Sequence, residues 1–80
     1  MATTVSGRTE SGDNYLGVSD EDNLSVDFIM NMIEREVGEE ELPYVTEVNI
    51  KSTVEKNEDL LSDISSDCVE RCEVLYEEVG

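Results

Sequence analysis

From Tyr44 to Val54 the chain alternates with a period of two. Tyr44, Thr46, Val48, Ile50, Ser52 and Val54 share one side, and Glu47, Asn49, Lys51 and Thr53 the other. β-Branched residues at that period make a half-buried strand, and Pro43 keeps a helix from running into it. A single strand is not a stable object, so this one must find a neighbour. Three are open to it: the stretch 15–18, its own copy in a dimer, or the sheet edge of another protein.

Amphipathic helices are expected on both sides of the strand. Ahead of it, Ser19 is placed to cap, and Asp20, Glu21 and Asp22 suit the positive end of a helix dipole. The spacing predicts a helix over 20–37, stopped by Gly38. Val26, Ile29, Met30, Ile33 and Val37 make its core face. Leu24, Phe28 and Met32 form a second, narrower stripe, which is either another core contact or an exposed docking edge. Beyond the strand, Asn57 suits the cap of a helix over 58–79. Leu60, Leu61, Ile64, Cys68, Cys72, Leu75, Tyr76 and Val79 would line its apolar side, with Asp59, Asp63, Asp67, Glu70, Glu73 and Glu77 opposite.

Residues 1–18 are rich in Thr, Ser and Gly and read as a flexible N-terminal segment; the other reading has 15–18 adding a short strand. The expected fold class is therefore α+β: a small acidic domain over 19–80, built helix–strand–helix. The alternative is all-α, with the middle segment wound into the last helix.

Charge constrains function more tightly than fold. Twenty-one Asp and Glu stand against five Lys and Arg, with no His, for a net −16 on 80 residues. Apolar residues are 38% and aromatics 5%, so one thin core is all the chain can build. Self-repulsion of this size works against the compact state, which points to a use for the charge outside folding. Nucleic acid and anionic membrane surfaces reward Lys and Arg, so neither is the expected partner. A basic protein is, most naturally one whose positive surface binds nucleic acid.

On the helix expected over 58–79, the six carboxylates fall about every 4.5–5 Å along some 27 Å of axis. One DNA strand carries a charge about every 3.4 Å, a density of the same order. Asp59, Asp63, Asp67, Glu70, Glu73 and Glu77 are thus the expected partner-binding face, with Glu39, Glu40 and Glu41 as a secondary patch. In charge and size the chain resembles the broad class of small acidic proteins called DNA mimics, many of them phage or viral inhibitors of nucleic-acid-binding proteins. That resemblance rests on no motif and assigns no residue roles. The bland reading, a solvated helix face, competes with it. An alternative function is an adaptor whose 19–37 helix docks in an apolar groove through Leu24, Phe28 and Met32.

Catalysis, metals and cofactors find no footing. There is no His to serve as a base, no glycine-rich phosphate loop, and neither Cys68 nor Cys72 has an activating neighbour. The two cysteines cannot complete a metal site without further ligands, and they read as small core residues. Around 20–31 the calcium-loop pattern fails, with Leu24 at a ligand position and Ser25 where Gly belongs. The first eight residues lack the apolar run of a signal peptide, and no window approaches a membrane span, so an intracellular protein is expected, in the host cytoplasm if viral. A homodimer is one of the assemblies open to the strand.

Overall fold

A computed structural model describes residues 3–21, 24–67 and 72–79. The elements are β1 (Thr3–Thr9), β2 (Asn14–Ser19), α1 (Val26–Val37), a 3-10 turn at Leu42–Tyr44, β3 (Val45–Ser52), α2 (Glu58–Asp67) and β4 (Glu73–Glu78). The strands form one sheet in the order β2-β1-β3-β4. β1 runs antiparallel to both β2 and β3, while β3 and β4 are parallel. A parallel neighbour needs a crossover, and α2 supplies it. The fold is α+β, as the sequence led us to expect.

The strand expected at 44–54 is β3, with Val48, Ile50 and Ser52 buried and Lys51 exposed. Its neighbours differ from those considered. β1 and β4 flank it within the chain, so it is not a sheet edge and has none to offer a second copy. Thr9 pairs with Val45 while Arg8 pairs with Glu47, so Thr46 is passed over as a bulge. The extra residue turns Val45 inward as well, and it is fully buried.

The N-terminal segment is the largest departure. The strand reading of 15–18 holds as β2, but the residues ahead of it are not a flexible tail: 3–9 form an interior strand of the sheet and pair with β2 as a hairpin. Thr3, Val5, Gly7 and Thr9 all face inward and are buried. Thr and Gly read as tail composition, yet at period two Thr is a strand residue that fits a half-buried surface. A domain boundary at 18 would cut through the sheet.

The first helix begins later than expected. Ser19 ends β2, and its Oγ accepts from the Glu21 N–H at 3.1 Å, a local turn rather than a helix cap. Ser25 is the cap, its Oγ accepting from the Phe28 N–H at 3.1 Å. At the other end Gly38, at φ 91°, donates its N–H to the Glu34 carbonyl at 2.8 Å. Asn57 caps α2 as expected, its Oδ1 accepting from the Leu60 N–H at 3.2 Å. Ser25→Ala and Asn57→Ala should each cost about 1 kcal/mol in urea unfolding, while Ser19→Ala should cost less than about 0.5. A larger loss at Ser19 than at Ser25 would overturn this assignment.

The second helix is where expectation and structure part most consequentially. It ends at Asp67, and β4 occupies residues assigned to its last turns. Residues 72–79 carry both periods: Cys72, Leu75, Tyr76 and Val79 suit a helix, but Val74 and Tyr76 alternate with Glu73, Leu75 and Glu77. The pairing with β3 decides between them, since it satisfies the ladder of β3 on that side. The Tyr76 hydroxyl donates to the Val54 carbonyl and fastens β4 to the chain leaving β3.

Both helices lie on one face of the sheet. Ile29, Met32 and Ile33 of α1 and Leu60 and Ile64 of α2 close over Val5, Tyr15, Val45, Val48 and Ile50, with Cys72 at the margin. Among the described residues, no helix or strand lies over the opposite face.

Candidate functional site: the acidic end and its exposed tyrosine

The pairing places the end of β1 and the starts of β2, β3 and β4 at one end of the sheet, since Arg8 lies beside Asn14 and Glu47, and Glu47 beside Glu73. That end also receives the C-terminus of α1 and its connection to β3. The β1–β2 turn and this connection are joined directly, the Glu10 N–H donating to the Tyr44 carbonyl at 2.7 Å. Three bonds fix the connection itself. Glu41 and Leu42 donate to the Gly38 carbonyl at 3.2 and 3.1 Å, and Tyr44 donates to the Glu41 carbonyl at 2.8 Å. Leu42 packs against the core, while Pro43 and Tyr44 are exposed.

The result is an open hollow of about 440 Å³ lined by Glu10, Ser11, Glu41 and Tyr44. Tyr44 is 52% exposed. Asp13, Glu39 and Glu40 stand exposed nearby in sequence, on the same two connections. Carboxylates beside an accessible ring suit an arginine, whose guanidinium can hydrogen-bond the former and stack on the latter.

The six-acid ladder is not a single face. Asp59 and Asp63 are exposed one turn apart on α2, and Asp67 is its last residue. Glu70 lies outside the described residues. Glu73 and Glu77 are exposed on β4, on the open side of the sheet. The spacing that matched a DNA strand required a continuous helix to 79, and the strand pairing of 73–78 removes it. Glu39, Glu40 and Glu41, ranked second from the sequence, are all exposed, and Glu41 borders the hollow with Glu10 and Tyr44. Glu10 and Tyr44 were not singled out from the sequence. Only the hairpin 3–19 brings Glu10 to this end, and of that hairpin the sequence signals no more than a strand at 15–18.

The proposed docking edge on α1 is also absent as a free stripe. Met32 is 4% exposed and belongs to the core, and Leu24 and Phe28 are half-buried against it. The stripe is a second core contact, and α1 packs against both the sheet and α2. Cys68 lies outside the described residues, so a shared helix face with Cys72 falls there too. Cys72 is a buried thiol just before β4, its Sγ 3.9 Å from the Glu73 carbonyl oxygen.

Of the 18 Asp and Glu whose side chains are described, 17 are exposed and Glu47 is half-buried. Among the described residues two ion pairs form: Arg8 with Glu47 at 3.5 Å and Lys56 with Glu58 at 3.2 Å. Among these residues no group of three or more His, Cys, Asp or Glu is arranged to hold a metal, and no helix is long and apolar enough to cross a membrane. Comparison with known protein families, with curated proteins and with solved structures finds no match.

Proposed function

We propose that this chain is a non-enzymatic binding protein that occupies the basic, nucleic-acid-binding surface of another protein, in the manner of a DNA-mimic inhibitor. The observation that carries the reading is the exposure of the acids: 17 of 18 described carboxylates face solvent, and two ion pairs use up two of the 18. A chain that needed its acids for folding would pair or bury them; this one holds them outward. The acidic end is the primary contact, with Glu10, Glu39, Glu40 and Glu41 meeting Lys and Arg and with Tyr44 accepting a stacked guanidinium or filling a base-sized space. Asp59 and Asp63 on α2 extend the negative surface along the helical side. The protein acts in the compartment of its target, inside the cell and in the host cytoplasm if the source is viral. No cofactor enters this role.

The test is capture at low salt on the immobilised protein, followed by elution with free duplex DNA and separately with a salt step. A target that binds nucleic acid and is released by both agrees with the reading. Retention through high salt, or a captured protein that DNA does not displace, would sink it. The adaptor reading loses its anchors with Met32 in the core, and no other observation favours it.

A further inference from the structure

The open face of the sheet can be read as a grid of three rows. Across β2, β1, β3 and β4 the rows are Val18, Thr4, Lys51, Glu77; then Leu16, Ser6, Asn49, Leu75; then Asn14, Arg8, Glu47, Glu73. Three features set this face apart from the rest of the molecule. Arg8 and Lys51 against Glu47, Glu73 and Glu77 leave a net −1, so residues outside the grid carry −15 of the −16. It holds three of the most exposed large apolar side chains, Leu16 at 59%, Val18 at 54% and Leu75 at 51%. Its middle row also borders a groove of about 340 Å³ whose walls include Ser6, Asn49 and Leu75.

We propose that this face is covered by a second copy of the same chain, sheet against sheet. A two-fold axis parallel to the strands, laid between two such faces, exchanges β2 with β4 and β1 with β3 and keeps the rows. Leu16 then lies over Leu75 of the second copy, and Ser6 lies over its Asn49. Arg8 lies over Glu47 of the second copy, joining the two internal Arg8–Glu47 pairs into one network of alternating sign. Each Leu16 enters the groove beside Leu75 of the other copy, so the contact contains two knobs and two holes. Stacked sheets turn by about 30°, which displaces corners most and the middle row least. The least favourable pair, Val18 over Glu77, is at a corner.

Charge selects this occupant. The grid carries only −1 of the −16, so two copies meeting through it bring little negative charge together, and the two helical layers lie on the far sides of the assembly. Four strands about 4.8 Å apart and six residues long at about 3.3 Å each give a contact roughly 15–20 Å on a side, which belongs with small, concentration-dependent interfaces.

Salt separates this inference from the proposed function, because it acts on the two surfaces in opposite directions. Screening removes the repulsion between two copies of charge −16 and strengthens their association, while it weakens binding of a basic target. In sedimentation at 10 µM to 1 mM protein, the mass should move from 8.9 kDa toward twice that value, and the midpoint should fall to lower concentration between 50 and 500 mM NaCl. Leu75→Glu and Leu16→Glu should each shift the midpoint at least tenfold upward. Tyr44→Ser, exposed but outside the grid, should leave it unchanged. Circular dichroism identifies any variant that fails to fold, in which case Leu75→Ser and Leu16→Ser replace it. A chain that stays at 8.9 kDa throughout at both salts, or an assembly indifferent to both leucine substitutions, overturns the proposal.

Discussion

Gly7→Ala is expected to lower the melting temperature by about 12–24 °C, the equivalent of about 3 kcal/mol in a domain of this size. Propensity alone predicts the opposite sign, because glycine inside a strand is about 0.5–1 kcal/mol worse than alanine. Local geometry outweighs propensity here. A Cβ on Gly7 would overlap the Glu47 carbonyl oxygen and lie 2.7 Å from its carbon and 2.8 Å from the Tyr15 Oη. The first two are backbone atoms of an adjacent strand and cannot rotate away. The third is the end of a phenol that crosses β1 above Gly7 to donate to that same carbonyl at 2.8 Å. Displacing it strands a hydroxyl in a core where Tyr15 is 7% exposed, at a cost of about 1–3 kcal/mol. Total stability for 80 residues is about 4–12 kcal/mol, so the substitution removes between about a quarter and three quarters of it. Thermal and urea unfolding followed by circular dichroism measure it. Tyr15→Phe, which loses the hydrogen bond but keeps the ring, should cost about 1 kcal/mol. A Gly7→Ala protein as stable as the parent would show that β1 and β3 do not approach as described.

The same residue explains why part of the fold was legible and part was not. β3 was readable because its apolar side is made of Val and Ile, and α1 because Ile29 and Ile33 repeat at helical spacing. β1 buries Thr3, Gly7 and Thr9 beside a single Val5, so its inward face carries almost no hydropathy signal. Its place next to β3 follows from the space left by Gly7 and from the reach of Tyr15, which are tertiary facts. β4 failed for a different reason. No Gly or Pro separates it from α2 in the sequence, and its residues fit both periods, so only the unfilled edge of β3 distinguishes strand from helix. The candidate site inherits both errors. Its Glu39–Glu41 component was visible as a charge run, whereas Glu10 and Tyr44 become neighbours only once the first 19 residues fold as a hairpin.

Neutralising the acidic end should weaken binding of the captured target far more than the same number of changes elsewhere. Glu10→Gln, Glu39→Gln, Glu40→Gln and Glu41→Gln remove four charges from two connections held together by the Glu10–Tyr44 backbone bond. Exposed pairs contribute about 0.2–1 kcal/mol each. Four of them set a loss of about 1–4 kcal/mol, or about fivefold to several hundredfold in Kd. Adding Tyr44→Ala should cost a further factor if a guanidinium stacks on the ring, with about 0.5–2 kcal/mol at stake. Conversely, Asp20→Asn, Glu21→Gln, Glu55→Gln and Glu78→Gln remove the same charge from other exposed positions and should reduce affinity only through the long-range field. Titrations at several salt concentrations separate the two effects. Loss of direct contacts lowers both the affinity and the slope of log Kd against log salt; loss of field alone mainly slows association. None of the eight positions is buried, and the four at the acidic end form no ion pair among the described residues, so folding should be unaffected or slightly improved as repulsion falls. Equal losses from the two sets would mean that net charge, rather than the arrangement around Tyr44, is what the target reads.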